Sequence, residues 1–129
     1  MSSILGIDYG RKHVGLAIAD ETIRQALPWR SLEVKSPADF INQLKRVVAD
    51  EPINLIILSR PVKMTGEETI LTQEVEMVAG QLKEELSLPV ELIDERLTSK
   101  GQQVTSRNFK IDDHQLAARQ LLEDYLLKH

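Results

Sequence analysis

The sequence places an aspartate, Asp8, directly after a short apolar run at residues 4–7, where strand periodicity favours another apolar side chain. A carboxylate in such surroundings needs a compensating partner, and a divalent cation would also give it a chemical use. Gly10 and Gly15 follow, and glycines let backbone amides approach phosphate oxygens closely. Asp8 is equally well explained as a turn residue that binds its own backbone before Gly10. The pattern therefore allows a metal site, a phosphate-binding loop or a plain turn.

A second acid, Glu95, follows an apolar stretch at residues 89–93. Carboxylates at a common sheet edge are the hard oxygen ligands that Mg²⁺ and Mn²⁺ prefer. Two such ions about 3.5–4 Å apart activate a water and stabilise the leaving oxygen of a phosphodiester. The alternative for Glu95 is an exposed loop acid paired with Arg96, a contact worth little energy.

This chemistry needs a third ligand, and the start of the last predicted helix offers Asp112, Asp113 and His114. On a helix, His114 lies four residues before Ala118 and therefore points toward the sheet, with Asp113 close to the same face. Asp112 is better placed as the N-cap. We predict Asp8, Glu95 and either His114 or Asp113 as catalytic, metal-binding residues. A partly buried structural histidine is the alternative for His114.

Chain length separates two enzyme classes that carry an Asp-x-Gly turn, metal-dependent nucleases of the ribonuclease H type and actin-like ATPases. With 129 residues the chain is sized for one domain, residues 1–129, and is too short for a two-lobed ATPase body. It contains no cysteine, no apolar run of roughly 20 residues and no leader pattern. We therefore expect a cytoplasmic protein without a membrane partner.

The net charge of −4 argues mildly against a nucleic-acid partner, but the distribution of charge matters more. Four basic and no acidic residues lie between positions 96 and 110, whereas acids concentrate between 67 and 85. Each basic residue alone is readily explained as a solvated surface charge. As a group, the following are predicted to contact phosphates: Arg11, Lys12, Arg60, Lys63, Arg96, Lys100 and Arg107.

The elements that position these residues follow from periodicity. Residues 4–7 and 14–18 read as a hairpin, and residues 25–34 as a third strand at a sheet edge, because they include Pro28. Ser36 and Pro37 start a helix that ends before Pro52. The remaining predictions are a buried strand at 53–58, a loop at 59–66, a helix at 67–86, a strand at 89–93, a short helix or mobile segment at 99–108, and a helix at 112–127.

Three antiparallel strands followed by alternating helices and strands predict an α/β fold. The expected architecture is a five-stranded mixed sheet, three antiparallel N-terminal strands plus two parallel ones, flanked by helices on both faces. Polar residues at the carboxyl ends of strands collect at one edge of such a sheet, where sites form. Asp8 and Glu95 both occupy such ends.

Four motifs occur in order: residues 6–17, Pro61-Val62-x-Met64-x-Gly66, Asp94-Glu95-Arg96-Leu97-Thr98, and Ala117-Ala118 leading to Tyr125-Leu126. Together they resemble the bacterial YqgF/RuvX family over nearly the whole chain. The resemblance implies a ribonuclease H-like fold related to Holliday junction resolvases, and nucleolytic maturation of the 5′ end of 16S ribosomal RNA. It also implies that Asp8 and Glu95 match the family's acidic site residues, and that Mg²⁺ or Mn²⁺ activates the water.

The sequence departs from the family pattern at two positions. The family usually has an aspartate three residues before the paired alanines, and here His114 stands there, with Asp113 one step earlier. Either the imidazole binds the metal, or Asp113 replaces it, or the third ligand is lost. The loop that usually reads Gly-Leu-Pro reads Ser59-Arg60-Pro61 and gains a cation.

We therefore expect a metal-dependent endonuclease whose partner is precursor 16S rRNA. This RNA is bound either alone or within the ribosomal small-subunit precursor. A Holliday junction resolvase acting on branched DNA is the nearest alternative, and its twofold substrate calls for a dimer. A noncatalytic nucleic-acid-binding module of ribosome assembly is an alternative of another class, and an ATPase is a remote one. Because no dedicated dimer surface is evident, we expect a monomer or a weak homodimer.

Overall fold

The computed structural model describes residues 2–96 and 113–128. Within these ranges the elements are, in chain order, β1 (Ser3–Asp8), β2 (His13–Asp20), β3 (Ala26–Glu33), α1 (Pro37–Val48), β4 (Ile53–Val62), α2 (Ile70–Leu86), β5 (Val90–Arg96) and α3 (Asp113–Lys128). The strands form one sheet in the order β3-β2-β1-β4-β5. The first three strands pair antiparallel, whereas β4 is parallel to both β1 and β5. The predicted five-stranded mixed sheet is confirmed.

The edge position of β3 agrees with the prediction from Pro28. Pro28 pairs with Ala17 of β2, and the register of the two strands shifts between Leu16 and Ala17. Proline has no backbone N–H to donate, so it is tolerated at a sheet edge beside such an irregularity.

The start of α1 also follows the prediction. Ser36 is the N-cap, and its Oγ accepts a hydrogen bond from the N–H of Asp39 at 3.0 Å, while Pro37 takes the first helical position. The Asp39 carboxylate in turn accepts from the N–H of Lys35 at 2.9 Å. Because these bonds satisfy donors that a helix start leaves unpaired, local sequence alone sets where α1 begins.

The prediction of a loop at residues 59–66 is wrong for its first half, residues 59–62. β4 continues to Val62 and β5 to Arg96, and the two strands pair in parallel with Pro61 opposite Glu95. Each strand supplies hydrogen-bond partners that let the other extend beyond its apolar run. Glu95 therefore lies within a strand and not after one.

The start of α2 was predicted three residues too early. Thr69 is the N-cap: its Oγ1 accepts from the N–H of Thr72, and the Thr72 Oγ1 accepts from the N–H of Thr69 at 2.8 Å. The buried Thr72 hydroxyl also donates to the carbonyl of Pro61. This reciprocal capping fixes the helix start and joins it to the extended end of β4.

Two hydrophobic cores occupy opposite faces of the sheet. The larger core lies between the sheet and helices α1 and α2, and includes the fully buried Phe40, Leu44 and Leu82. The smaller core lies beneath α3, and half of its side chains are alanines: Ile4, Ala17, Ala19, Ala26, Ile57, Ala118, Leu121 and Leu122. The helices therefore cover both faces, as predicted.

Glycines let α3 lie directly on β1 and β2. A Cβ on Gly6 would lie 2.5 Å from the Cγ of Leu122, and a Cβ on Gly15 would lie 2.0 Å from the backbone carbonyl carbon of His114. No side chain fits into these spaces. The first turn of α3 is thereby brought within reach of the carboxyl end of β1.

Two predictions, the segment at 99–108 and Asp112 as the N-cap of the last helix, lie outside the described residues. Among the helices of residues 2–96 and 113–128, none has the length and apolar character needed to cross a membrane.

Candidate functional site

The acids predicted at one sheet edge do come to that edge. β1, β4 and β5 are parallel, so their carboxyl ends lie side by side. Successive strand residues alternate between faces, and Asp8 shares the α3 face with Gly6, while Glu95 shares it with Ile93 of the smaller core. Asp94 lies on the opposite face. Of the two neighbouring acids, Glu95 is therefore the one that faces the same side as Asp8.

Asp8 is held by groups from two other elements. Its Oδ1 lies 3.5 Å from the Oγ of Ser59 in β4, and its Oδ2 lies 3.2 Å from the Nδ1 of His114 in α3. The side chain of Asp113 is exposed and forms no hydrogen bond or ion pair with residues 2–96 or 113–128. The two groups proposed as alternatives therefore differ in placement, because it is His114 that contacts Asp8.

Glu95 is a half-buried carboxylate with no hydrogen-bonding or ion-pair partner in the described part of the chain. Burial, and then the charges of Asp8 and Asp124, raise the pKa of Glu95 to about 7. Among the described residues no cation pairs with the Glu95 carboxylate, which faces the charges of Asp8 and Asp124, so a cation would be favoured there.

The part of the chain that the structure describes contains no group of three or more His, Cys, Asp or Glu side chains arranged to hold a metal ion. It does contain two potential metal-binding side chains in contact, Asp8 and His114. The charge of Asp8 also raises the pKa of a third such side chain, Glu95, after the larger effect of burial.

Two of the predicted phosphate-binding residues, Arg60 and Arg11, already pair with carboxylates. Arg60 lies opposite the acid pair, on the α2 face, where its guanidinium contacts the carboxylates of Glu68, Glu76 and Asp94 at 2.7–3.0 Å. Phosphate binding by Arg60 would compete with these ion pairs.

Arg11 also has a carboxylate partner, because its Nε lies 3.4 Å from Glu74 of α2. The same carboxylate accepts a hydrogen bond from the buried Tyr9 hydroxyl at 2.8 Å. Lys12 and Lys63 are exposed. The Arg96 side chain, Lys100 and Arg107 lie outside what the structure describes.

Sequence reasoning missed three residues near the acid pair. His13 stacks on His114, with ring centroids 5.9 Å apart and an interplanar angle of 19°. Ser59 touches Asp8, and Asp124 acts on Glu95 electrostatically. The period of two in β4 groups Ser59 with Ile57, so Ser59 was open to detection. Asp124 lies about 80° around the helix from His114, so the helical period gave no signal for it.

The raised pKa of Glu95 predicts an effect on stability. The folded protein keeps a proton on Glu95 up to about pH 7, whereas the unfolded chain releases it near 4.5, so stability falls as the pH rises between these values. Glu95→Gln should therefore stabilise the protein at pH 8 by about 2 kcal/mol, after allowance for partial solvent exposure, and leave it unchanged at pH 4. Urea denaturation at both pH values measures the difference. An equal gain at both would show that charge is not its cause.

The chain is similar to known proteins over nearly its whole length. The sequence pattern of the RuvX family, described as Holliday junction resolvase, matches residues 2–128. The chain is 33% identical to the "Putative pre-16S rRNA nuclease" of Dictyoglomus turgidum, covering 95% of this chain and 92% of the relative. It is 34% identical to the protein of the same name from Chloroflexus aurantiacus, covering 95% and 85%.

Among solved structures, T. thermophilus RuvC in complex with a Holliday junction substrate matches with a TM-score of 0.62 at 15% identity, covering 99% of this chain and 96% of that one. At this identity the likeness shows the fold alone. The YqgF/RuvX resemblance read from the motifs is thus confirmed, and the chain belongs to the RuvX family and has the ribonuclease H-like fold of RuvC.

Proposed function

We propose that the protein is a divalent-metal-dependent endonuclease that hydrolyses phosphodiester bonds during 5′-end maturation of precursor 16S rRNA in the cytoplasm. The observation that carries this proposal is that Asp8 of β1 contacts His114 of α3 and acts electrostatically on Glu95 of β5 at the carboxyl edge of the sheet. Carboxyl groups whose pKa is perturbed by burial and by a neighbouring charge cluster at functional sites, and Glu95 is such a group.

The residues present fit a divalent cation. Asp8 and Glu95 supply hard oxygen donors, His114 supplies a nitrogen donor accepted by Mn²⁺, and Asp113 is an alternative donor one residue away. Burial and then the charge of Asp8 raise the pKa of Glu95, and a bound cation would offset both effects by stabilising the ionised carboxylate. Since no three of these side chains are already arranged around one point, binding by all of them would need side-chain adjustment.

When bound, such ions supply an activated water and stabilise the leaving oxygen. The protein's own contribution is to hold the donors in place. Ser59 and His114 fix the two oxygens of Asp8 from either side, and the close packing at Gly15 fixes the backbone of His114. Asp8 is therefore oriented before any ligand arrives.

The RNA assignment is supported by relatives whose printed name is a pre-16S rRNA nuclease and which align over most of both chains. A second candidate is resolution of branched DNA, favoured by the family description and by the fold shared with RuvC. A resolvase needs two sites on a twofold junction and hence a dimer, whereas an RNA nuclease can act as a monomer or weak homodimer.

The test compares two substrates under one metal titration. A precursor 16S rRNA fragment carrying its 5′ leader and a synthetic four-way DNA junction are incubated with the protein at increasing Mn²⁺ or Mg²⁺, and the sedimentation of the protein is measured alongside. We expect metal-dependent cleavage of the RNA by a monomeric species. Cleavage of the junction alone by a dimer would favour the resolvase, and binding without cleavage at any metal concentration would favour the noncatalytic module.

A further inference from the structure

A groove of about 530 Å³ opens beside the acid pair. It lies where β2 begins, β3 ends and α1 makes its first turns, and is lined by residues that include Lys12, His13, Glu33, Lys35, Asp39 and Gln43. This end of β2 and β3 is the same sheet edge that carries Asp8, since β2 runs antiparallel to β1.

The groove is connected to the acid pair by direct contacts. His13 lines the groove, and its ring stacks on the ring of His114, 5.9 Å away between centroids. His114 in turn contacts Asp8 at 3.2 Å. Within the described residues, a chain passing from the groove over His13 and His114 would therefore reach Asp8.

The ammonium groups of the two groove lysines are accessible to an anionic ligand. Lys12 and Lys35 are exposed, and neither forms an ion pair with a carboxylate of the described residues. One groove acid is already engaged, because the Asp39 carboxylate accepts from the N–H of Lys35 and from the Nε2 of Gln43.

The part of the sheet edge near α2 differs in charge. There Glu74 pairs with Arg11, and Glu68, Glu76 and Asp94 surround Arg60. Phosphate oxygens are repelled by surplus carboxylates and attracted by uncompensated ammonium groups. The groove is lined by two lysines and two acids, whereas four carboxylates surround two arginines near α2, so the described charges repel a polyanion less strongly in the groove.

We propose that this groove binds the phosphate backbone of the nucleic acid on its way to the acid pair, with Lys12 and Lys35 contacting phosphates and His13 forming the wall between groove and site. The inference deepens the proposed function and rests on it for the identity of the ligand. It assigns binding roles to Lys35 and His13, which no motif had indicated.

The test measures binding without cleavage. Lys12→Gln/Lys35→Gln is compared with Arg46→Gln/Lys83→Gln, which removes the same two charges from exposed positions of α1 and α2 that do not line the groove. Fluorescein-labelled precursor rRNA and a labelled four-way DNA junction are titrated in EDTA at several salt concentrations. We expect the groove variant to bind on the order of tenfold more weakly, with a salt slope smaller by about 1.4–1.8, and the control variant to match the parent.

The outcomes separate the groove from the site. Unchanged binding by the groove variant, or an equal loss in both double variants, would overturn the groove inference while leaving the proposed nuclease untouched. Conversely, the groove variant could bind RNA more weakly than the parent protein while the parent protein itself shows no cleavage. That result would support the groove inference and overturn the proposed nuclease. The RNA and junction arms show which polymer the groove prefers, and circular dichroism confirms that each variant is folded.

Discussion

Asp8→Asn is expected to lower the rate of phosphodiester cleavage by roughly a thousandfold, about 4 kcal/mol of transition-state stabilisation. Asparagine keeps the size of the side chain and can still accept from Ser59, so the packing around β1 should survive. What is lost is the negative charge that would hold a cation beside Glu95. Single-turnover cleavage of precursor rRNA at saturating Mn²⁺ measures the rate, and electron paramagnetic resonance of free Mn²⁺ measures metal binding independently.

Glu91→Gln provides a matched control for the companion variant Glu95→Gln. Both glutamates belong to β5 and lie an even number of residues apart, hence on one face of the strand. Glu91, however, is exposed and accepts a hydrogen bond from Tyr125 at the end of the strand remote from Asp8. We expect Glu95→Gln to lose both Mn²⁺ binding and cleavage, and Glu91→Gln to retain them. Full activity in Asp8→Asn and Glu95→Gln together would remove the catalytic assignment.

Much of the fold is encoded by signals that act within a few residues. The cap at Ser36, the apolar run that begins at Ile53 and the proline that marks an edge strand each predict an element whose position the structure confirms. The ends of β4 and β5 were missed because they depend on each other: residues 60–62 are strand since β5 lies beside them. A pairing between distant segments leaves no mark in either one alone.

The site was predictable to a similar degree. The alternation of strand residues and the parallel order of β1, β4 and β5 suffice to bring Asp8 and Glu95 to one edge. The sequence shows that Arg60 is charged but not that three carboxylates pair with it, because these come from the segment before α2, from α2 and from β5. Partners of an ion pair are a tertiary property, and surface charge patterns do not specify them.

Gly15→Ala is expected to destabilise the protein by roughly 3–5 kcal/mol and to disturb the site as well. The new Cβ would lie 2.0 Å and 2.1 Å from the carbonyl carbon and oxygen of His114, and 2.5 Å from the backbone nitrogen of Gln115. These are backbone atoms of the first turn of α3, and no rotamer change moves them away. The helix must lift from β2, which opens the smaller core and carries His114 away from Asp8. Urea denaturation measures the loss of stability.

Gly80→Ala is the matched control for this prediction, because a Cβ at Gly80 in the middle of α2 meets nothing within 4 Å. There alanine should stabilise the protein by about 0.5–1 kcal/mol, through its higher helix propensity and the reduced freedom of the unfolded chain. The same substitution is thus expected to change stability in opposite directions at a strand position and at a helix position, according to whether another backbone occupies the space. The free energy of unfolding of Gly15→Ala could instead lie within about 1 kcal/mol of the parent value. Then α3 would not rest directly on β2, and the position of His114 beside Asp8 would lose its structural basis.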